Sequence, residues 1–284
     1  MTTATLLTRS LIRIDGADAQ SFLQGILTTD IDGLAADEAR PGALLTPQGK
    51  ILFDFIIWRT ESGFLLECDS ALSDAFSRRL SMYKLRAAVT LTQGQVGVSV
   101  TWGDAADSAE GAADMAFAKA GILLKRAPAH PDAIADAPGE TAYDALRIEA
   151  GLAQSGKDYA LQDAFPHDIL LDLDGGLSFR KGCYVGQEVV SRMQHRGTAR
   201  RRLVQVSADA ALPSSGTELT AGGKPLGTLG TVVEGKGLAI VRTDRVGDAL
   251  SRDLPILAGD QPVRLTLPAW TGLSFPSDAA EADA

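Results

Sequence analysis

Phe179-Arg-Lys-Gly-Cys-Tyr-Val-Gly-Gln-Glu188 places one of the chain's two cysteines between two glycines, beside two cations and five residues before a carboxylate. A cysteine used for packing sits among apolar neighbours, whereas Cys183 has Lys181 and Gly182 before it and Gly186 soon after. That pattern favours access. The thiolate is the reactive form of cysteine, and its pKa falls beside cations or at a helix N-terminus. Arg180 and Lys181 supply the cations, and Val185–Met193 reads as a short helix with Val189, Val190 and Met193 inward. An isolated cysteine also serves as a small buried filler, and residue type and spacing leave both readings open. Cys68, inside an apolar strand, reads as filler.

The rest of the chain bounds the context of that thiol. Its 284 residues correspond to about two domains at roughly 150 residues each, and 45% hydrophobic with 22% charged residues is the composition of a folded globular chain. The excess of 36 acidic over 27 basic side chains gives a net charge of −9, which disfavours nucleic acid and anionic lipid as primary ligands. Two distant cysteines without a CxxC pair support neither a disulfide framework nor a structural zinc site. No apolar run reaches the roughly 20 residues of a bilayer span, and the N-terminus has no signal-peptide pattern. The expected location is the bacterial cytoplasm, or the mitochondrial matrix if a presequence has been removed.

Upstream, Leu11–Ile14 reads as a strand and Asp15–Gly25 as a capped helix. Ala43–Thr46 and Ile51–Trp58 flank the turn Pro47-Gln-Gly-Lys50 and form a hairpin, followed by a strand at Gly63–Cys68. From Ser70, the positions Leu72, Ala75, Phe76, Leu80 and Tyr83 recur at helical spacing. Strands at Ala87–Thr92 and Val96–Trp102 follow, then a surface loop over Gly103–Asp114 and a proline-rich connector over Ala127–Gly139. Ala142–Ala150 is helical. Beyond Arg202, Leu203–Val206, Pro225–Val233, Leu238–Val241 and Val263–Leu267 read as strands of a small all-β unit. Ser277–Ala284 is expected to be disordered.

Lys181-Gly-Cys-Tyr-Val-Gly-Gln-Glu188, with Arg192 after it, resembles the signature of the YgfZ family of folate-binding proteins, which support iron-sulfur enzymes. The resemblance continues through Asp18–Gly25, Thr46–Lys50, Tyr83–Arg86, Arg147–Gly151 and into the β unit, so it spans nearly the whole chain. That family is similar in turn to the aminomethyltransferase (T-protein) of the glycine cleavage system. The resemblance implies an α+β fold. Residues 1–202 would form two ferredoxin-like subdomains of a folate-binding region, and 203–276 a C-terminal antiparallel β-barrel, ahead of the tail 277–284.

The same resemblance implies tetrahydrofolate as the cofactor and iron-sulfur client or assembly proteins as partners. Glu149 would accept the adjacent N–H donors of the pterin ring as a charge-assisted bidentate pair, with Arg147 beside it. Cys183 would be the functional thiol, framed by Lys181, Gly182, Tyr184, Gly186, Gln187, Glu188 and Arg192. In the transferase an adjacent Asp pair works near the folate nitrogen, and this chain has Phe53-Asp54 there. An apolar ring cannot hold charge near a developing cation, so transfer with Asp54 as acid is the alternative activity. A thiol-redox factor is a third.

Three further stretches are weaker candidates. Gly230–Gly237 nearly matches a P-loop, but Gly237 stands where Ser or Thr is required, and a hairpin turn fits better. His130, His167 and His195 lie outside any metal-ligand spacing and read as surface residues, so no metal site is expected. Arg196, Arg200, Arg201 and Arg202 form the dense basic run, either a solvated strand edge or a landing site for folate's glutamate tail or an acidic partner.

Overall fold

The computed structural model describes residues 3–129 and 139–276. The chain divides into two compact units, Met1–Ala142 with Leu171–Ser191, and Tyr143–Leu170 with Arg192–Ala284. The fold is mixed, with helices on an N-terminal barrel and an antiparallel barrel-like sheet in the C-terminal half.

In the first unit the elements are β1 (Thr3–Asp15), α1 (Ala19–Ile26), β2 (Glu38–Leu45), β3 (Ile51–Arg59), β4 (Gly63–Asp69), α2 (Ser73–Tyr83), β5 (Thr90–Trp102), α3 (Asp104–Ser108), β6 (Ala112–Asp114), α4 (Met115–Lys119) and β7 (Leu124–Pro128). Helix α5 (Glu140–Ala150) leads into the second unit, and α6 (Gln187–His195) follows the cysteine loop. The seven strands close in the order β1-β4-β3-β2-β6-β7-β5, and β5 pairs with β1.

Apolar periodicity explains which face each helix buries. Ala19, Phe22, Leu23 and Ile26 line one side of α1, and Phe76 and Leu80 line α2. They pack on Phe53, Phe55, Ile57, Phe64 and Leu66. Strand alternation then turns Asp54 and Glu67 to the opposite face, toward the barrel interior. There Glu67 on β4 accepts hydrogen bonds from Arg9 on β1 (2.9 Å) and Arg126 on β7 (3.0 Å), and Arg126 also donates to Asp114 on β6 (2.6 Å). Four strands therefore meet at a charge cluster within the barrel, whose members are almost fully buried.

Several expected elements differ. Gly103–Asp114 is no plain loop, because it holds α3 and β6, and β6 closes the barrel through a parallel pairing with β2. Its three residues are too short to show a period. The two strands expected over 87–102 are one, β5. Its register against β1 shifts between Ser10 and Ile12, and a side chain on Gly94 would come within 2.5 Å of the Leu11 carbonyl. The bulge there reads in sequence as a break. Helix α1 starts at Ala19 rather than Asp15, and the Asp18 carboxylate accepts from the Ala88 backbone N–H instead of capping it.

The second unit contains β8 (Arg201–Ser207), β9 (Glu218–Ala221), β10 (Lys224–Val233), β11 (Lys236–Arg242), α7 (Thr243–Ser251), β12 (Ile256–Ala258), β13 (Gln261–Pro262) and β14 (Arg264–Thr266). The sheet order is β13-β12-β9-β10-β11-β8-β14, with neighbouring strands antiparallel. Gly230–Gly237 is the β10–β11 hairpin, so the P-loop resemblance is superficial. The tail Ser277–Ala284 and most of the 127–139 connector lie outside the described residues.

Removing the charge of Glu67 takes an ionic partner from two buried guanidinium groups, Arg9 and Arg126. Glu67→Gln is expected to destabilise the protein by about 3–5 kcal/mol, read as a lower urea midpoint; an unchanged midpoint would show that the cluster does not hold the barrel.

Candidate functional site

The cysteine loop is fastened to the end of α1. The Lys181 ammonium donates to the carbonyl oxygens of Leu27 (2.7 Å), the residue that caps α1, and Thr29 (2.8 Å), two residues further on. The Thr28 hydroxyl donates to the Gly176 carbonyl at 2.7 Å, and the Ser178 N–H donates to the Thr28 carbonyl at 3.0 Å. Burial lowers the Lys181 pKa to about 8, against the nearby Asp30 and Asp32 carboxylates that raise it. The ammonium also lies 5.4 Å over the Tyr184 ring.

The far side of the loop is pinned by two glycines in left-handed conformations. Gly186 (φ 79°) and Gly49 (φ 77°) bring the α6 start against the β2–β3 turn. A side chain on Gly186 would meet the Thr46 carbonyl at 2.5 Å, and one on Gly49 would meet Val189 at 2.9 Å. Only glycine tolerates that approach. Val190 is buried beneath α6, while Val189 and Met193 are half-buried.

Between these anchors Cys183 is exposed. It opens with Gly182 on a groove of about 510 Å³ whose α1 wall presents Gln20, Ser21, Gln24 and Gly25, with Asp32 beside them. Tyr184, next in sequence, is buried, and its hydroxyl has no hydrogen-bond partner among the described residues. Gln187 is half-buried, and Glu188 and Arg192 are exposed on α6. Cys68 is sealed in the core, where burial pushes its thiol up to about 12.

The β2–β3 register shifts beside Phe53, between Leu44 and Leu45, while Phe53 and Asp54 point to opposite faces of β3. Phe53 faces the helices and stacks on Phe76 with ring centroids 4.8 Å apart, whereas Asp54 is on the other face of β3, close enough to Cys68 to raise that thiol's pKa.

In the second unit, Arg147 and Glu149 lie on α5 in opposite environments. Arg147 is buried and donates to Asp158 (2.8 Å), Asp144 (2.8 Å), Thr231 (2.9 Å) and the Leu152 carbonyl (2.9 Å). Burial works against its charge, but Asp158 and Asp144 more than offset that and leave its pKa raised. Asp158 also accepts from the Thr231 N–H, and Gly230 gives it room, since a side chain there would lie 2.5 Å from its oxygen. Glu149 is exposed, and its carboxylate takes no hydrogen bond from the described residues.

His167 corrects the expectation of a surface histidine. It is fully buried, 3.2 Å from Gln194, and its carbonyl accepts from Arg202. His195 is exposed and His130 lies outside the described residues. In the basic run Arg201 pairs with Asp163 at 3.4 Å, while Arg196 and Arg200 are exposed.

Sequence reading missed Thr28, Thr29 and Asp174, the residues that build the loop's base. Asp174 is buried, accepts from the Gly176 N–H (2.8 Å), and has its pKa raised to about 8, chiefly by burial. Its signal was the turn Asp174-Gly-Gly176, which spacing alone does not connect to α1. A carboxyl near 3.9 unfolded and near 8 folded keeps its proton only in the fold, so stability falls as pH rises between those values. The slope due to this group is up to about 1.4 kcal/mol per pH unit. Asp174→Asn should remove that slope and be the more stable protein at pH 8. Parallel stability curves for the two proteins would contradict it.

Comparison with known proteins matches residues 200–273 to the C-terminal β-barrel domain of CAF17. The mitochondrial iron-sulfur cluster assembly factor IBA57 of Homo sapiens is 31% identical over 272 residues, covering 84% of this chain and 76% of that protein. The mitochondrial homologue from Chaetomium globosum is 31% identical over 239 residues, covering 71% of this chain and 55% of its own length. The crystal structure of the glycine cleavage system aminomethyltransferase T from Bartonella henselae superposes with a TM-score of 0.69 at 18% identity, over 94% of this chain and 86% of that one. That likeness is one of fold. The human relative's extent and identity make the chain a member of the IBA57 family of iron-sulfur cluster assembly factors.

Proposed function

We propose that this chain, like the YgfZ proteins it resembles, binds tetrahydrofolate and supports the assembly or repair of iron-sulfur clusters in client enzymes, with Cys183 as the working thiol. The observation that carries the reading is the exposed Cys183, held between two anchored points and open to a groove. A cysteine kept for packing needs no such frame.

The residues on α5 fit a folate in one respect. Glu149 offers a carboxylate with no competing donor among the described residues, as the pterin's paired N–H groups require. Arg147 enters as the residue that positions α5, because its guanidinium is already engaged. The cluster itself is cargo, delivered to or shared with a partner, since one exposed thiol cannot hold a cluster alone. The relatives are named mitochondrial factors, and among the described residues no helix is long and apolar enough to cross a membrane.

Folate-dependent aminomethyl transfer is the weaker reading. Phe53 is packed into the core and Asp54 is left as a single acid on the opposite face of its strand.

Two outcomes follow. In fluorescence titration, Glu149→Ala should weaken tetrahydrofolate binding about ten-fold or more, the scale of a lost charge-assisted bond; equal affinity would remove Glu149 from the site. Cys183→Ala should bind tetrahydrofolate normally yet fail to restore iron-sulfur enzyme activity in cells lacking the protein. Full restoration would dismiss the thiol, and turnover of an aminomethyl donor that vanishes in Asp54→Asn would favour the transferase.

A further inference from the structure

The surface over residues 78–86 takes no part in the site described above. On α2, Phe76 and Leu80 face the core, which turns Arg78 and Met82, one turn apart, to the opposite side. Among the described residues the exposed large apolar side chains are Leu7, Met82, Leu85, Leu123 and Leu250. Two of these, Met82 at 68% and Leu85 at 93% exposure, sit within one turn of each other. Single exposed leucines are ordinary, but neighbouring ones mark contact surfaces.

Charge sharpens the observation. Arg78, Arg79, Lys84 and Arg86 fall within nine residues that contain no acid, in a chain of net charge −9. Their side chains make no ion pair or hydrogen bond with another described residue, whereas Arg9, Arg59, Arg126 and Arg147 are all engaged internally. The four cations surround the two apolar side chains in sequence.

We propose that this segment docks an acidic protein partner, with Leu85 and Met82 entering an apolar cleft and Arg78, Arg79, Lys84 and Arg86 meeting carboxylates on its rim. Guanidinium forks suit carboxylates, and an apolar centre with a charged rim is the anatomy of a protein interface. Nucleic acid is disfavoured because Tyr83, the one aromatic ring in the segment, packs against the core and offers no stacking surface. An anionic membrane would face the repulsion of the remaining acidic chain.

The test uses the full chain and a fluorescein-labelled peptide of Glu-Leu-Leu-Glu repeats, followed by anisotropy. Controls are Lys-Leu-Leu-Lys and Glu-Ser-Ser-Glu peptides, phosphatidylserine vesicles and oligothymidine. Wild type should bind the acidic apolar peptide above all the controls, with affinity that falls as salt rises. Binding should weaken about ten-fold or more in Arg78→Glu/Arg86→Glu and separately in Met82→Ser/Leu85→Ser, as expected when charge or apolar contact is lost at an interface. These side chains are exposed, so the melting temperature should hold; if a double variant melts early, Leu85→Ser alone carries the test. Equal binding by the variants, preference for vesicles or oligothymidine, or a wild-type dimer that the variants dissolve would each overturn the proposal.

Discussion

A single ammonium group, that of Lys181, fastens the cysteine loop to its scaffold. Lys181 reaches the carbonyl oxygens of Leu27 and Thr29 in the segment that leaves α1 and ties the loop to it. The hydroxyls of Thr28 and Thr29 fix the Gly176 carbonyl, and the Ser178 N–H meets the Thr28 carbonyl. These contacts join segments about 150 residues apart in sequence. On the far side the loop ends at Gly186, which fits against Thr46 only because it lacks a side chain. Cys183 thus sits on a short bridge between two fixed supports, exposed because the bridge cannot fold inward.

Much of this was legible in the sequence, and the limits are physical. Long amphipathic stretches such as α2, and the hairpin around Pro47–Lys50, declared themselves through period and turn chemistry. The closed barrel did not, because its closing strand β6 has three residues and pairs with a strand some seventy positions earlier. Lys181 read as a cation placed to activate the thiol, whereas the fold directs its ammonium to backbone carbonyls. Spacing cannot reveal that, because a lysine's reach covers several partners. Arg147 carried the same ambiguity: two positions from Glu149 on one helix, it turns inward to Asp158 and Asp144 while Glu149 faces solvent.

The distribution of charge follows one logic across both units. Buried cations are matched by carboxylates, Arg9 and Arg126 with Glu67 and Asp114, and Arg147 with Asp158 and Asp144. Such pairs are costly to break and fix strand and loop positions rather than add much net stability. Cations without internal partners among the described residues stay at or near the surface, Arg78, Arg79, Lys84 and Arg86 around the end of α2 and Arg196 and Arg200 after α6.

The central claim is that Lys181 presents Cys183, and the most direct measurement compares Lys181→Met with wild type for iodoacetamide labelling of Cys183 under native conditions and for rescue of iron-sulfur enzymes. The account predicts faster amide exchange across Gly182–Gly186, an altered labelling rate and reduced rescue, with tetrahydrofolate affinity unchanged. Labelling, exchange and rescue identical to wild type would show that the sulfur is held by something else.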